Sequence, residues 1–196
     1  LILGFFLVLP IGTILIVSFW DYNDFSFFPD FVWTNYSDAL GSNVTYKTYL
    51  NTFWYAGLTW LCTFLIGFTV AYFLAFYVIS IPIQITLFLI CTIPFWTSNV
   101  IRMVSWIPLL GRNGLVNDTL ITLGLIQEPI EWLLYSSFSV ILALVHLYTL
   151  FMIVPIFNSM LRIDKEVIEA AYDSVANQFQ IIKNVIIQLC KPGIII

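Results

Sequence analysis

Three stretches of this chain, residues 51–79, 83–108 and 137–160, contain no Asp or Glu, and Arg102 is their one basic residue. Each exceeds the roughly 20 apolar residues that an α-helix needs to cross a hydrocarbon core about 30 Å thick. Barrel strands would show about 10 residues of strict alternation instead. In lipid the backbone must satisfy its own hydrogen bonds, and a helix does so within one segment. The expected fold class is therefore an all-α membrane protein, a polytopic transmembrane helix bundle.

Composition agrees: 61% of residues are apolar and 9% charged, with a mean hydropathy of +0.98. A soluble domain carries roughly 25% charged residues. There is no basic patch, so nucleic acid is set aside as a partner and membrane lipid takes its place. The chain begins Leu1-Ile2-Leu3-Gly4 and ends in the apolar run Gly193-Ile194-Ile195-Ile196. We expect a fragment of a longer protein, cut inside its first and last spans. Cys62, Cys91 and Cys190 lie far apart without a CxxC pair and read as inert thiols.

The expected plan is one transmembrane domain over 1–196, with about four full spans and the start of a fifth. Span 1 is 1–20, span 2 is 51–79, span 3 is 83–108, span 4 is 137–160, and a fifth span starts at 186–196. Residues 21–50 and 109–136 form long polar loops. Four of the seven basic residues (Arg162, Lys165, Lys183, Lys191) fall in or beside the polar segment 161–185. The two long loops hold only Lys47 and Arg112 beside seven acidic residues. The excess of Lys and Arg on cytoplasmic segments places 161–185 in the cytoplasm and both long loops outside.

Within 161–185, Asp164 can cap a helix from Lys165 to Ser174, with Glu166 in its first turn where the helix dipole favours an anion. Glu166, Glu169, Ala170 and Asp173 share one face by the three-four spacing, and Val167, Ile168 and Ala171 lie on the other. Asn177 can cap a second helix that leads into the fifth span. By charge and periodicity alone, this segment is either a solvated connecting loop or a docking surface for a soluble partner.

The run Glu169-Ala170-Ala171-Tyr172-Asp173, followed by Pro192-Gly193, resembles the EAA loop of bacterial ABC importer permeases. That family usually has Gly where Val175 stands, and often Pro where Gln188 stands. The resemblance implies that Glu166, Glu169, Ala170, Ala171 and Asp173 couple the membrane helices to a cytoplasmic ABC ATPase. It also implies a second permease subunit, an extracytoplasmic solute-binding protein and a multi-pass place in the bacterial cytoplasmic (inner) membrane. ATP hydrolysis would then belong to a separate subunit. This chain has no G-x-x-x-x-G-K-[ST] loop, no H-E-x-x-H and no nucleophile–base pair at useful spacing, so we expect neither catalysis nor a cofactor or metal.

The block from Pro94-Phe95-Trp96-Thr97-Ser98-Asn99 through Arg102 and Trp106 to Leu109-Leu110-Gly111-Arg112-Asn113-Gly114-Leu115-Val116-Asn117 is similar to polyamine-type permeases. The likeness extends to Asn35-Tyr36, Asn51-Thr52, Leu123-Gly124-Leu125-Ile126, Pro155 and Arg162-Ile163-Asp164. It implies import of spermidine or putrescine. Permeases for ferric ion, an oxyanion or a sugar share parts of the pattern. An ion-coupled transporter is disfavoured, because such proteins usually place carboxylates at mid-membrane.

Pro94 removes a helix hydrogen bond and is expected to kink or open span 3 near its middle. Phe95, Ser98, Asn99, Arg102 and Trp106 then fall roughly on one face. That face either lines a pathway or packs on a neighbouring helix. Trp96, Ser98, Asn99, Trp106 and Tyr148 are the candidate pathway residues, the aromatics because a polycation binds aromatic faces. Arg102 either snorkels to the interface or pairs with Asp118, Glu128, Glu131 or a partner subunit. His146 is expected to be a hydrogen-bonded interior residue.

Overall fold

Two long apolar helices organise the chain, as their uninterrupted hydropathy requires. In the computed structural model, which describes residues 2–23, 25–174 and 177–195, they run over Asn43–Tyr77 (35 residues) and Ser137–Met160 (24 residues). Only 28% of the most apolar window of each is buried, so most of their greasy surface faces outward, as lipid requires. By length and composition these two helices can cross a membrane, and a third can if one bent pair counts as a single span. The protein is nearly all helical. It falls into two compact units, Leu1–Trp54 and Tyr55–Ile196.

In the first unit, α1 (Ile2–Val17) holds 16 residues with Pro10 inside, about 24 Å of helix and shorter than the expected span. A hairpin follows, which the all-α expectation did not include: β1 (Asp21–Asn23) pairs antiparallel with β2 (Ser26–Phe28). Asn23 closes its turn, with Oδ1 accepting from the backbone N–H of Phe25 and Ser26 and from the Ser26 hydroxyl. The short helix α2 (Thr34–Gly41) is tied to the end of α1 by Asn35. Its side-chain amide donates to the carbonyls of Ser18 and Trp20, in the turn that follows α1. Phe19 stacks among Phe31, Trp33 and Tyr36 beside it.

α3 (Asn43–Tyr72) starts well before residue 51, inside the segment read as loop, and continues as a wide π-type turn over Phe73–Tyr77. A tight turn at Val78–Ser80 leads into α4 (Ile81–Thr92), whose second residue is Pro82, where a missing N–H costs nothing. Gln84 bridges the turn, its amide donating 2.7 Å to the Leu74 carbonyl.

The stretch read as span 3 is divided rather than merely kinked. α4 passes into a tight 3₁₀ turn at Ile93–Trp96 and stops. The chain is extended at Thr97 and Ser98, and α5 (Asn99–Val104) begins a stretch, Asn99–Thr122, that lies at 89° to Ile81–Trp96. Pro94 has no N–H to donate, and Thr97 turns both its backbone N–H and its hydroxyl onto the Pro94 carbonyl. Short helices α6 (Ile107–Leu110) and α7 (Leu115–Thr122) follow.

α8 (Ser137–Met160) has the bounds read from sequence. Ser136 and Ser139 exchange side-chain-to-backbone hydrogen bonds at its start. After α9 (Lys165–Asp173), the chain forms α10 (Gln178–Ile181), a second wide turn at Ile182–Ile186, and α11 (Ile187–Ile195). Asp164 sits at the head of α9 but makes no capping bond with its side chain, contrary to expectation. At the head of α10, Gln180 Oε1 accepts from the Asn177 N–H at 2.9 Å. A bend is expected from the sequence at Val175-Ala176-Asn177, and its first two residues lie outside the described ones.

α11 packs along α8, and Gly193 makes this possible. A Cβ there would fall on Ser159 Oγ and lie 2.5 Å from the Pro155 carbonyl oxygen. The core of the second unit sits where these helices meet the end of α3: Ala71, Leu74, Ile156, Phe157, Met160, Ile181, Ile186 and Cys190 are buried together.

Candidate coupling surface and intramembrane cavity

α9 is the most amphipathic helix of the chain, with its two faces doing different work. Ile168 and Ala171, joined by Ile163, pack against the buried core formed by α3, α8, α10 and α11. Val167 was read with them but is exposed. On the outer side Glu166, Glu169, Ala170 and Asp173 are exposed. Of the five residues read as a coupling set, four are exposed, Glu169 at the rim of the cavity described next, and Ala171 is half-buried against the core. A small residue at Ala170 leaves the exposed acidic edge accessible to a close-packing surface.

Beneath α9 lies a cavity of about 640 Å³, lined by Glu169 and Tyr172 of α9, Tyr72 and Tyr77 at the end of α3, and Gln84 of α4. Gln178, at the start of α10, donates to the Tyr77 hydroxyl at 3.3 Å. The polar residues that close the ends of α3, α4 and α10 thus gather around the helix that carries the acidic edge.

The second feature is an open apolar groove between α4, α5 and α8. Its volume is about 420 Å³, and it is lined by Phe95, Arg102, Trp106 and His146, with Cys91 and Ile153 among the apolar walls. Arg102 does not snorkel: it is 6% exposed. Its guanidinium donates to Asn99 Oδ1, one turn earlier on α5. It also forms no pair with the carboxylates named as candidates. Glu131 is held instead by Arg112 at 3.4 Å, both side chains being exposed. The Trp106 and His146 rings form a T-shaped pair with their centroids 5.6 Å apart.

The candidate pathway residues are only partly brought together. Trp106 lines this groove, and Asn99 reaches it through Arg102. Trp96 is 85% exposed and Ser98 is exposed, because the break at Thr97–Ser98 ends the helical face on which they were expected to align. Tyr148 is half-exposed beside Phe151, which stacks edge-on against Phe95.

Asn117 is a structural centre that chemistry-based reading of the sequence passed over. It is fully buried. Its amide nitrogen donates to the carbonyls of Gly111 (2.9 Å) and Ile130 (3.3 Å), and its Oδ1 accepts from the Ile130 N–H at 2.8 Å. One side chain therefore ties both ends of loop 109–136 together. The spacing Gly111–Gly114–Asn117 was the available signal, since Gly114 leaves no room for a Cβ against Gly111 and the Leu109 carbonyl.

No protein-family model matches the chain. It is 33% identical over 195 residues to the spermidine/putrescine transport system permease protein PotB of Haemophilus influenzae, covering 97% of this chain and 66% of the relative. Identity to the same-named protein of Escherichia coli is 32% over 193 residues, covering 97% and 68%. The inner membrane ABC transporter permease protein YdcU of Escherichia coli is 25% identical over 196 residues, covering 93% and 61%. The chain thus spans about two thirds of the length of the PotB relatives.

Proposed function

This chain belongs to the family of PotB permease proteins, and we propose that it is the transmembrane permease subunit of an ATP-driven ABC importer that moves spermidine and putrescine into the cytoplasm. α9 carries this reading. Its apolar face is seated on a core shared by α3, α8, α10 and α11, and its acidic edge is free to meet a soluble protein. A force applied to α9 is delivered to all four of these elements at once. Glu166, Glu169, Ala170 and Asp173 form the contact with the ABC ATPase, and Ala171 the anchor.

In this assignment the subunit is non-catalytic, and ATP is hydrolysed on the separate ATPase. The protein sits in the bacterial inner membrane. α1, α3 with its wide turn, the bent stretch 83–108 and α8 are the four spans, and α10–α11 opens the fifth. Loops 21–50 and 109–136 face outward, where an extracytoplasmic binding protein delivers the solute, and 161–185 faces the cytoplasm. Trp96, Ser98, Asn99, Trp106 and Tyr148 border the route together with residues of a second permease subunit. Transport proceeds by alternating access, as the nucleotide cycle shifts the population between inward- and outward-open states.

The test is uptake of radiolabelled spermidine and putrescine by vesicles containing the full permease pair, its ATPase and its binding protein. ATP-dependent uptake of both polyamines is expected. Uptake of another solute class with no polyamine transport would overturn the assigned cargo. Uptake without any ATPase would overturn the class.

A further inference from the structure

Apolar packing holds α9 to its core, but such contacts are non-directional and let surfaces slide. A hydrogen bond fixes direction as well as distance. One such bond joins the segment that follows α9 to the corner between α3 and α4. Gln178, the first residue of α10, donates its side-chain amide to the Tyr77 hydroxyl at 3.3 Å, across 101 residues of sequence.

Each end of this bond is held by its own neighbours. On one side, the Asn177 N–H donates to Gln180 Oε1 and sets the head of α10. On the other, Tyr77 is the last residue of the wide turn Phe73–Tyr77 that ends α3. Wide turns of this kind are rare and recur at functional sites. Gln84 of α4 donates to the Leu74 carbonyl inside that turn at 2.7 Å. Two side-chain amides thus join α10, the end of α3 and α4 in series. α4 is the helix that runs into the break at Ile93–Trp96, beside the candidate route. α9 itself makes no hydrogen bond to this corner among the described residues. Glu169 and Tyr172 instead share a cavity with Tyr77 and Gln84.

We propose that the Gln178–Tyr77 bond is a coupling tie, which carries displacement of the α9–α10 segment to the α3–α4 corner and, through Gln84, to the broken stretch behind α4. Gln178 and Tyr77 are positioning residues and touch neither solute nor nucleotide. The tie rests on the permease reading above and adds to it a route from the ATPase contact to the divided span.

The test uses vesicles holding the full-length permease, its companion, the ATPase and the binding protein, and reads polyamine moved per ATP hydrolysed. Tyr77→Phe removes only the hydroxyl, and Gln178→Leu removes the amide. Tyr77 is 57% exposed and Gln178 is exposed, so neither change opens the core. Each is expected to lower the ratio about fivefold, the scale on which one hydrogen bond biases a two-state equilibrium. The ATPase should co-purify at the parental level. The double variant is expected to fall no further than either single one, because both remove the same bond. Gln178→Glu, whose carboxylate accepts from the Tyr77 hydroxyl, should keep the parental ratio and lose it when combined with Tyr77→Phe. A parental ratio in both single variants overturns the tie. So do losses that multiply in the double variant, or a loss of bound ATPase that accounts for the whole effect. Failure of the permease reading looks different: wild-type vesicles then carry no polyamine on ATP, and the tie falls with it.

Discussion

Gly193 and Asn117 show what single residues do here. At Gly193 the opposing atoms are the Pro155 carbonyl oxygen and the Ser159 hydroxyl, and the first belongs to a helix backbone that cannot rotate away. Gly193→Ala is therefore expected to lower stability by about 1–3 kcal/mol, the usual penalty of overpacking. Thermal unfolding of the detergent-purified protein would show it, and Ser159→Ala would restore only part of the loss. Asn117→Ala removes three bonds from a fully buried side chain and leaves backbone groups unpaired. We expect a cost of about 1–3 kcal/mol and, with it, proteolytic cleavage within 109–136 at protease levels that spare the parent. The identity of both residues was plain in the sequence, but their roles were not. Pro192-Gly193 was noticed only through resemblance, and the partners of Asn117 are backbone groups up to thirteen residues away, which no periodicity encodes.

Among the elements, α8 was legible to the residue because an apolar run without acidic residues fills 137–160 between two polar segments. The break between α3 and α4 was legible too, read at 80–82 and found at Val78–Ser80, since proline is favoured in the first helical turn and Pro82 takes that place in α4. Pro94 announced a disturbance, but its size did not follow from it: the 89° turn is made by Thr97 and Ser98 adopting extended backbone together. The β1–β2 hairpin escaped because three-residue strands carry no usable alternation. α9 was legible as an amphipathic helix, and its apolar face is where the pattern put it apart from Val167. A prediction belongs to this element. Glu169→Lys reverses charge on the outward edge of α9 without touching Ile168 or Ala171, so the fold is expected to persist. Co-purification of the ATPase and ATP-driven uptake should both fall, by about tenfold, as for a charge reversal at a docking surface. Undiminished co-purification would remove Glu169 from the contact.

For the whole molecule, sidedness is the property to measure. Charge counting places loop 109–136 outside and 161–185 inside. Asn117 is too deeply buried to report on this, whereas Glu128 is exposed. In a background lacking Cys62, Cys91 and Cys190, Glu128→Cys is expected to react with an impermeant maleimide added to intact cells. A cysteine replacing Gln180 is expected to react only after the membrane is opened. The reverse pattern would invert the assigned topology. The close seating of α11 on α8 also has a mechanical meaning. With no side chain at Gly193 to hold them apart, the two helices behave as one stiff beam rather than two independent struts. α8 alone is 24 residues, about 36 Å long. Rocking such a beam by about 5° at one end sweeps the other through roughly 3 Å, about the width of a water molecule.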